Sequence, residues 1–196
     1  FRISGKDWDP VTETYLPLND EVPGIVTTQN PDNIQMELRG NQINNVEGVG
    51  AEPSVLASDI DLDLEGMAVA YRPRASIRLA AGNYANQVWG TWDDYEVLHV
   101  AGDLHVAGQC TGAGLAIVDG SFFCSGQFIW YGLMLVLGDI VFTGGGSGIH
   151  IYGSVLVQGN IDEQVVGGEA DILYSSEALA RLAMMSPYVV SSWREP

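Results

Sequence analysis

The chain has 196 residues, 46% of them apolar, enough to bury the core of one domain with a small appendage and too many for a disordered chain. Eight basic against 25 acidic residues leave a formal net charge of −17, a field that repels phosphate and argues against nucleic acid and anionic lipid as partners. Lys6 is the only lysine, so there is no basic patch to offset that field.

The chain opens on Phe1-Arg2-Ile3-Ser4-Gly5 with no basic-then-apolar leader, and the expectation is a processed product whose targeting or anchoring segment is missing from it. Asn30-Pro31-Asp32 signals a short helix: a cap, a proline in the first turn and an acid at the positive end of the dipole, with Gly40 as its stop after Arg39. A second helix is expected from Ser58 to Tyr71, with Ile60, Leu64, Met67 and Tyr71 on one face and Pro73 beyond its end. The stretch Asp59–Glu65 also alternates as a strand would, but the cap and the continuing apolar face favour the helix.

After Tyr95 the grammar changes, and glycine and β-branched residues replace much of the charge. Four units of similar pattern follow: Val97–Gly108, Leu115–Gly126, Leu133–Gly144 and Gly148–Gly159. The first glycine of each pair falls at 102, 120, 138 and 153, the second at 108, 126, 144 and 159, in steps of 18, 18 and 15. A period near 18 with two short strands per unit and glycine at the corners describes a parallel β-solenoid of about four coils. Alternation sends three columns inward: Val100, Val118, Val136 and Ile151; Leu104, Phe122, Ile140 and Val155; Val106, Cys124, Phe142 and Val157. Two outward columns are apolar in their middle coils: Ile117 and Leu135 flanked by His99 and His150, and Phe123, Val141 and Leu156 with His105. Left bare they would promote aggregation, so something must cover the middle coils, most simply the helices of the N-terminal half or the C-terminal helix.

The last expected element is a helix over Ser175–Met185, with a serine cap, an early Glu177, Pro187 beyond its end and an apolar stripe of Leu179, Leu182 and Ala183. It packs on the sheet, and this tail is positioned to shield the edge of the last coil. The expected organisation is therefore mainly β: an N-terminal α+β or irregular segment (1–95) packed on a solenoid (96–160), then a C-terminal helix and tail (161–196). The uncharged stretches Gly120–Gly138 and Ile140–Ile161 are broken by glycines and polar residues, unlike a bilayer helix.

Candidate chemistry is sparse. His99, His105 and His150 lie on outward columns, too far apart to converge on a metal. Asp103, Asp119 and Asp139 sit at or beside corner glycines; Asp103, Ser121, Asp139 and Ser154 would succeed one another there, in side-chain bonds that form the turn rather than a Ca²⁺ site. Asp59, Asp61, Asp63 and Glu65, like Asp7 and Asp9 with Asp20 and Glu21, lack the loop spacing of a calcium-binding hand and read as solvated acids. Tyr84, Trp89, Trp92 and Tyr95 stand beside Asp93, Asp94 and Glu96 and form an aromatic cap over the first coil, with sugar binding as the sharper alternative. Cys110 and Cys124 fit no zinc pattern, and both a disulfide and two core thiols remain open. Gly144–Gly148 joins two strands and lacks the helix start that a phosphate loop needs. No catalytic, cofactor-binding or metal residue is assigned, and no enzymatic motif is present.

The run Gly112-Ala-Gly114-Leu through Gly120, Gly126, Gln127-Phe-Ile-Trp130-Tyr-Gly132 to Gly138 resembles the C-terminal region of bacterial pilus-assembly proteins of the PilX type. Tyr174-Ser-Ser-Glu-Ala-Leu179 and Ser191-Ser-Trp193-Arg194-Glu195 are similar to that family's ending, and Ile3–Asp7 and Pro23-Gly24-Ile25 to its recurring pieces. The resemblance is strong over 97–195 and weak over 1–70. It implies an exported protein of the bacterial envelope, cell surface or pilus, held to the membrane in full length by an N-terminal helix. Its partners would be other pilus or envelope proteins, and the family carries no catalytic residues to transfer. Two further readings stand beside it: a polymer-forming bactofilin-like scaffold, and a polysaccharide-binding or polysaccharide-active β-helix protein. Against a lyase, residues 97–159 contain no Lys or Arg.

Overall fold

The computed structural model describes residues 1–33, 40–59, 62–143, 148–159, 161–163 and 170–185. Alternating Val, Ile, Leu and Phe with glycines at the bends builds parallel strands, stacked in a solenoid of about 4 turns. A 12-stranded sheet carries it. Its strands are β1 (Arg2–Ser4), β2 (Val46–Glu47), β3 (Ile77–Tyr84), β4 (Gln87–Trp89), β5 (Glu96–Val106) and β6 (Gln109–Val118), followed by β7 (Phe122–Cys124), β8 (Gln127–Val136), β9 (Ile140–Phe142), β10 (Ile149–Val157), β11 (Ile161–Glu163) and β12 (Ala170–Leu173). The helices are α1 (Leu64–Tyr71) and α2 (Ser176–Met184).

A coil supplies three strand segments and so three faces. Residues 96–100, 114–118 and 132–136 stack on the first face, 104–106, 122–124 and 140–142 on the second, and 110–112 and 128–130 on the third. The corner between third and first faces falls at Gly114, Gly132 and Gly153, with φ of +123°, +123° and +139°. A Cβ on Gly114 would lie 1.9 Å from the Glu96 carbonyl oxygen, so only glycine lets adjacent coils close up there.

The interior follows the expected alternation. Val100, Val118 and Val136 stack in register and are fully buried, as are Leu104, Phe122 and Ile140. On the third face Trp89, Gly112 and Trp130 stack in turn, and a Cβ at Gly112 would sit 2.2 Å from the Trp130 ring. Large, small and large residues thus share one column, which keeps the interior close-packed.

The fourth coil departs from the expected alignment. Val136 pairs with Val157 rather than Ile151, while Ile151 stacks on Trp130 and Val155 on Met134. Gly153 therefore belongs with Gly132, and Gly159 donates its N–H to Gly138 at 3.2 Å. The physical reason is a longer connection between β9 and β10, which puts 21 residues rather than the expected 15 between partners such as Val136 and Val157, an even difference of six. Ile151, Val155 and Val157 therefore keep their inward direction. The outward columns change with it: Leu156 joins His99, Ile117 and Leu135, whereas His150 pairs with Ile129 and Asp171. Gly144 lies outside the described residues.

The stack also runs beyond 96–160. β3 and β4 pair in parallel with β5 and β6 before it, and β12 follows β10 after it. The last coil is shielded by the N-terminal strand: β1 pairs with β12 and with β2, and Phe1 packs on the core. α2 instead lies on the outer first face, against β6, β8 and β10, where apolar residues need cover. The N-terminal segment is tied to the start of α2 at Asp7, 1% exposed, whose carboxylate accepts from the Ser176 N–H at 2.8 Å, the Ser176 hydroxyl at 2.6 Å and the Asn19 amide at 2.6 Å.

The helices are shorter than expected. α1 starts at Leu64 because Asp63, not Ser58, accepts from the Gly66 N–H as its cap; Ile60 and Asp61 lie outside the described residues. α2 is capped by Ser175 as expected, but it buries Ala178 and leaves Ala183 exposed. Pro31–Asn33 is helical, the rest of that expected helix lies outside the described residues, and a 3₁₀ helix begins at Gly40. The C-terminal residues 186–196, Trp193 included, also lie outside them.

Cys110 and Cys124 are free thiols buried in the interior. Burial pushes both pKa values up, that of Cys124 to about 12. Native protein at pH 8 is expected to resist Ellman's reagent for hours, while urea-unfolded chain reacts at both sites. Prompt labelling of folded protein would contradict the packing.

Candidate functional site

The outer first face carries two apolar columns. Val97, Leu115 and Leu133 form one, and Ile117, Leu135 and Leu156 continue the other. α1 and α2 lie over this face, with Leu64, Met67 and Leu182 packed against Leu115, Ile117 and Leu135. They do not close over it completely. Between them remains a groove of about 530 Å³, floored by Leu115, Leu133 and Leu135 and walled by Met67, Leu182 and Met185. That volume falls in the range of small-molecule sites. Arg74, Ser76 and Glu96 also line it, and the Ser76 hydroxyl donates to the Glu96 carboxylate.

Side-chain pairs hold both walls. Asp119 accepts from Arg72 Nε at 2.8 Å and lies 2.8 Å from His99 Nε2, while Arg72 also donates to Glu65 at 2.9 Å. Burial pulls the Arg72 pKa down, but Glu65 and Asp119 outweigh it and the net shift is upward. The other wall is fixed by Arg181, whose guanidinium lies 4.1 Å from the Trp92 ring centroid and donates to the Trp92 carbonyl at 3.1 Å. Trp92 in turn meets Tyr95 and Tyr131 edge-on. Tyr95 lines the groove too; its hydroxyl is buried without a hydrogen-bond partner, and burial pushes its pKa up.

The residues singled out from sequence scatter around this groove. The three histidines stay apart: His99 pairs with Asp119, His105 stacks on Phe123 at 4.4 Å, and His150 lies 3.6 Å from Asp171. Among the described residues no group of three or more His, Cys, Asp or Glu side chains is placed to hold a metal. Asp103 accepts from the Ser121 N–H at 2.8 Å and Ser121 from the Asp139 N–H at 3.1 Å, a ladder of side-chain bonds between coils. Ser154 does not continue it, because it pairs with Leu133. The aromatic cluster divides: Tyr84 and Trp89 meet edge-on at 6.0 Å in the first coil, with Trp89 3% exposed, whereas Trp92 and Tyr95 face α2. Asp9 caps its own turn through the Val11 and Thr12 N–H groups, which lower its pKa. Leu115 and Leu133 went unmarked in the sequence, although each stands two residues before a marked outward residue, Ile117 or Leu135.

On the third face Asp171 lies between Arg2, 3.1 Å away, and His150. Burial pushes its pKa up, but the His150 and Arg2 interactions overcome this and hold it below the ordinary aspartate value. A depressed carboxyl contributes stability above its unfolded pKa and loses it as pH falls through the folded value. Urea titrations should therefore show Asp171→Asn less stable than the parent at pH 7, with the gap narrowing below about pH 4. A gap independent of pH would contradict the pairing.

No helix among the described residues is long and apolar enough to cross a membrane. No family model, curated protein or solved structure matches the chain.

Proposed function

We propose that the chain is a non-enzymatic structural and interaction domain of an exported bacterial protein of the envelope or pilus, working as a rigid, single-copy scaffold that contacts other envelope or pilus proteins. The observation that carries this reading is that both ends of the stack are blunted. At one end β3 is bulged between Ala80 and Gly82, and the Tyr84 hydroxyl donates to the Ala80 carbonyl. At the other, β2 has two residues, and the Ser54 N–H donates to its Val46 carbonyl at 3.0 Å. Bulges and short terminal strands discourage edge-to-edge pairing. Acidic side chains that would suit catalysis are engaged in structural bonds: Asp7 at the start of α2, Asp103 at a corner, and Asp119 on Arg72 and His99.

Light scattering during gel filtration should give the monomer mass at rising concentration, and electron micrographs should be free of filaments. Regular filaments would favour the bactofilin-like polymer and overturn the single-copy reading. The envelope assignment is tested in the gene: a leader followed by about twenty apolar residues ahead of Phe1 supports it, and a leaderless reading frame opposes it.

A further inference from the structure

We propose that the groove between α1 and α2 binds an uncharged, largely aliphatic small molecule, its chain on the Leu115–Leu133–Leu135 floor and its single polar head at the Ser76–Glu96 lip. This goes beyond the scaffold reading and stands without it.

The chemistry follows from the walls. Leucines from adjacent coils make the floor, and Met67 and Met185 stand among the walls, polarizable side chains that adapt to a ligand's shape. The Tyr95 hydroxyl, sealed from water and without a partner, marks a dry wall in which an ionised group would be costly. Arg74 and Glu96 bring opposite charges to the lining, which leaves it without net charge to select an ion of either sign. The molecule's net charge of −17 further disfavours an anionic amphiphile such as a free fatty acid. The Ser76 hydroxyl and Glu96 carboxylate offer a hydrogen-bonding pair to a hydroxyl or amide head. The remaining volume, about 530 Å³, suits a small molecule rather than a docked helix.

The test is fluorescence titration of the whole chain with N-phenyl-1-naphthylamine, a neutral apolar probe with a single N–H, followed by displacement with 1-decanol or decanoate at pH 8. Expected are saturable enhancement and displacement by 1-decanol at a concentration at least tenfold below that needed with decanoate. Leu133→Trp, which fills the floor, should weaken the probe at least tenfold without lowering Tm, and Val88→Gln, at a distant exposed position, should leave it unchanged. Leu133→Gln, which adds a polar group without filling, serves if the tryptophan variant fails to fold. No saturable binding, binding untouched by the Leu133 variants, equal displacement by decanoate, or Leu133 variants that alter oligomeric mass rather than probe affinity would each overturn the proposal.

Discussion

Phe122→Ala is expected to cost about 3–5 kcal/mol of folding stability, and Phe123→Ala, one residue on, only about 1 kcal/mol. Phe122 is fully buried, pairs with Leu104 and Ile140 in the neighbouring coils, and meets the Phe128 and Phe142 rings at 5.1 and 6.2 Å. Its removal leaves a cavity between coils that backbone pairing on both sides keeps from collapsing. Phe123 points the other way and stacks on His105, so its truncation loses one ring contact and opens no cavity. Urea denaturation of the two variants measures the difference. Similar costs would mean that side chains do not alternate across the strand as described.

Gly132→Ala should cost about 4 kcal/mol, from a left-handed backbone that resists a side chain and from a clash between coils. Its φ is +123°, and its Cβ would lie 2.3 Å from the Gly114 carbonyl oxygen. Gly50→Ala provides the control, because Gly50 has a φ of +105° but no atom within 4 Å of its added Cβ. It should cost about 1–2 kcal/mol, backbone strain alone. The gap between the two isolates the steric closeness of the coils. Equal losses would show that coils are not held carbonyl-to-Cα at that corner.

The solenoid was legible wherever its repeat was regular. Gly102, Gly120 and Gly138, each followed by alternating apolar residues, carry enough information to align three coils, and the valine column at 100, 118 and 136 follows. The fourth coil misled because Gly153 stands between Ile151 and Val155 much as Gly138 stands between Val136 and Ile140. Local pattern could not reveal that the preceding connection was longer. β3 was missed because Ala80-Ala81-Gly82 interrupts its alternation at the bulge. β1 and β2 were missed for another reason: three-residue and two-residue strands have no local signature, and their partners lie far away in sequence. The need to cover Ile117 and Leu135 was readable, and α1 and α2 do so; the groove they leave depends on side-chain reach, which no periodicity encodes.

With β1 inserted between β12 and β2, the N-terminal strand closes the last coil, and Asp7 ties the same segment to the start of α2.

The central claim, parallel coils in the stated register, is tested most directly by methyl nuclear Overhauser effects in solution. Val136 should show contacts to both Val118 and Val157, its neighbours on either side within the interior. Contacts from Val136 to Ile151 in place of Val157, or cross-strand amide patterns of antiparallel pairing between β6 and β8, would contradict it.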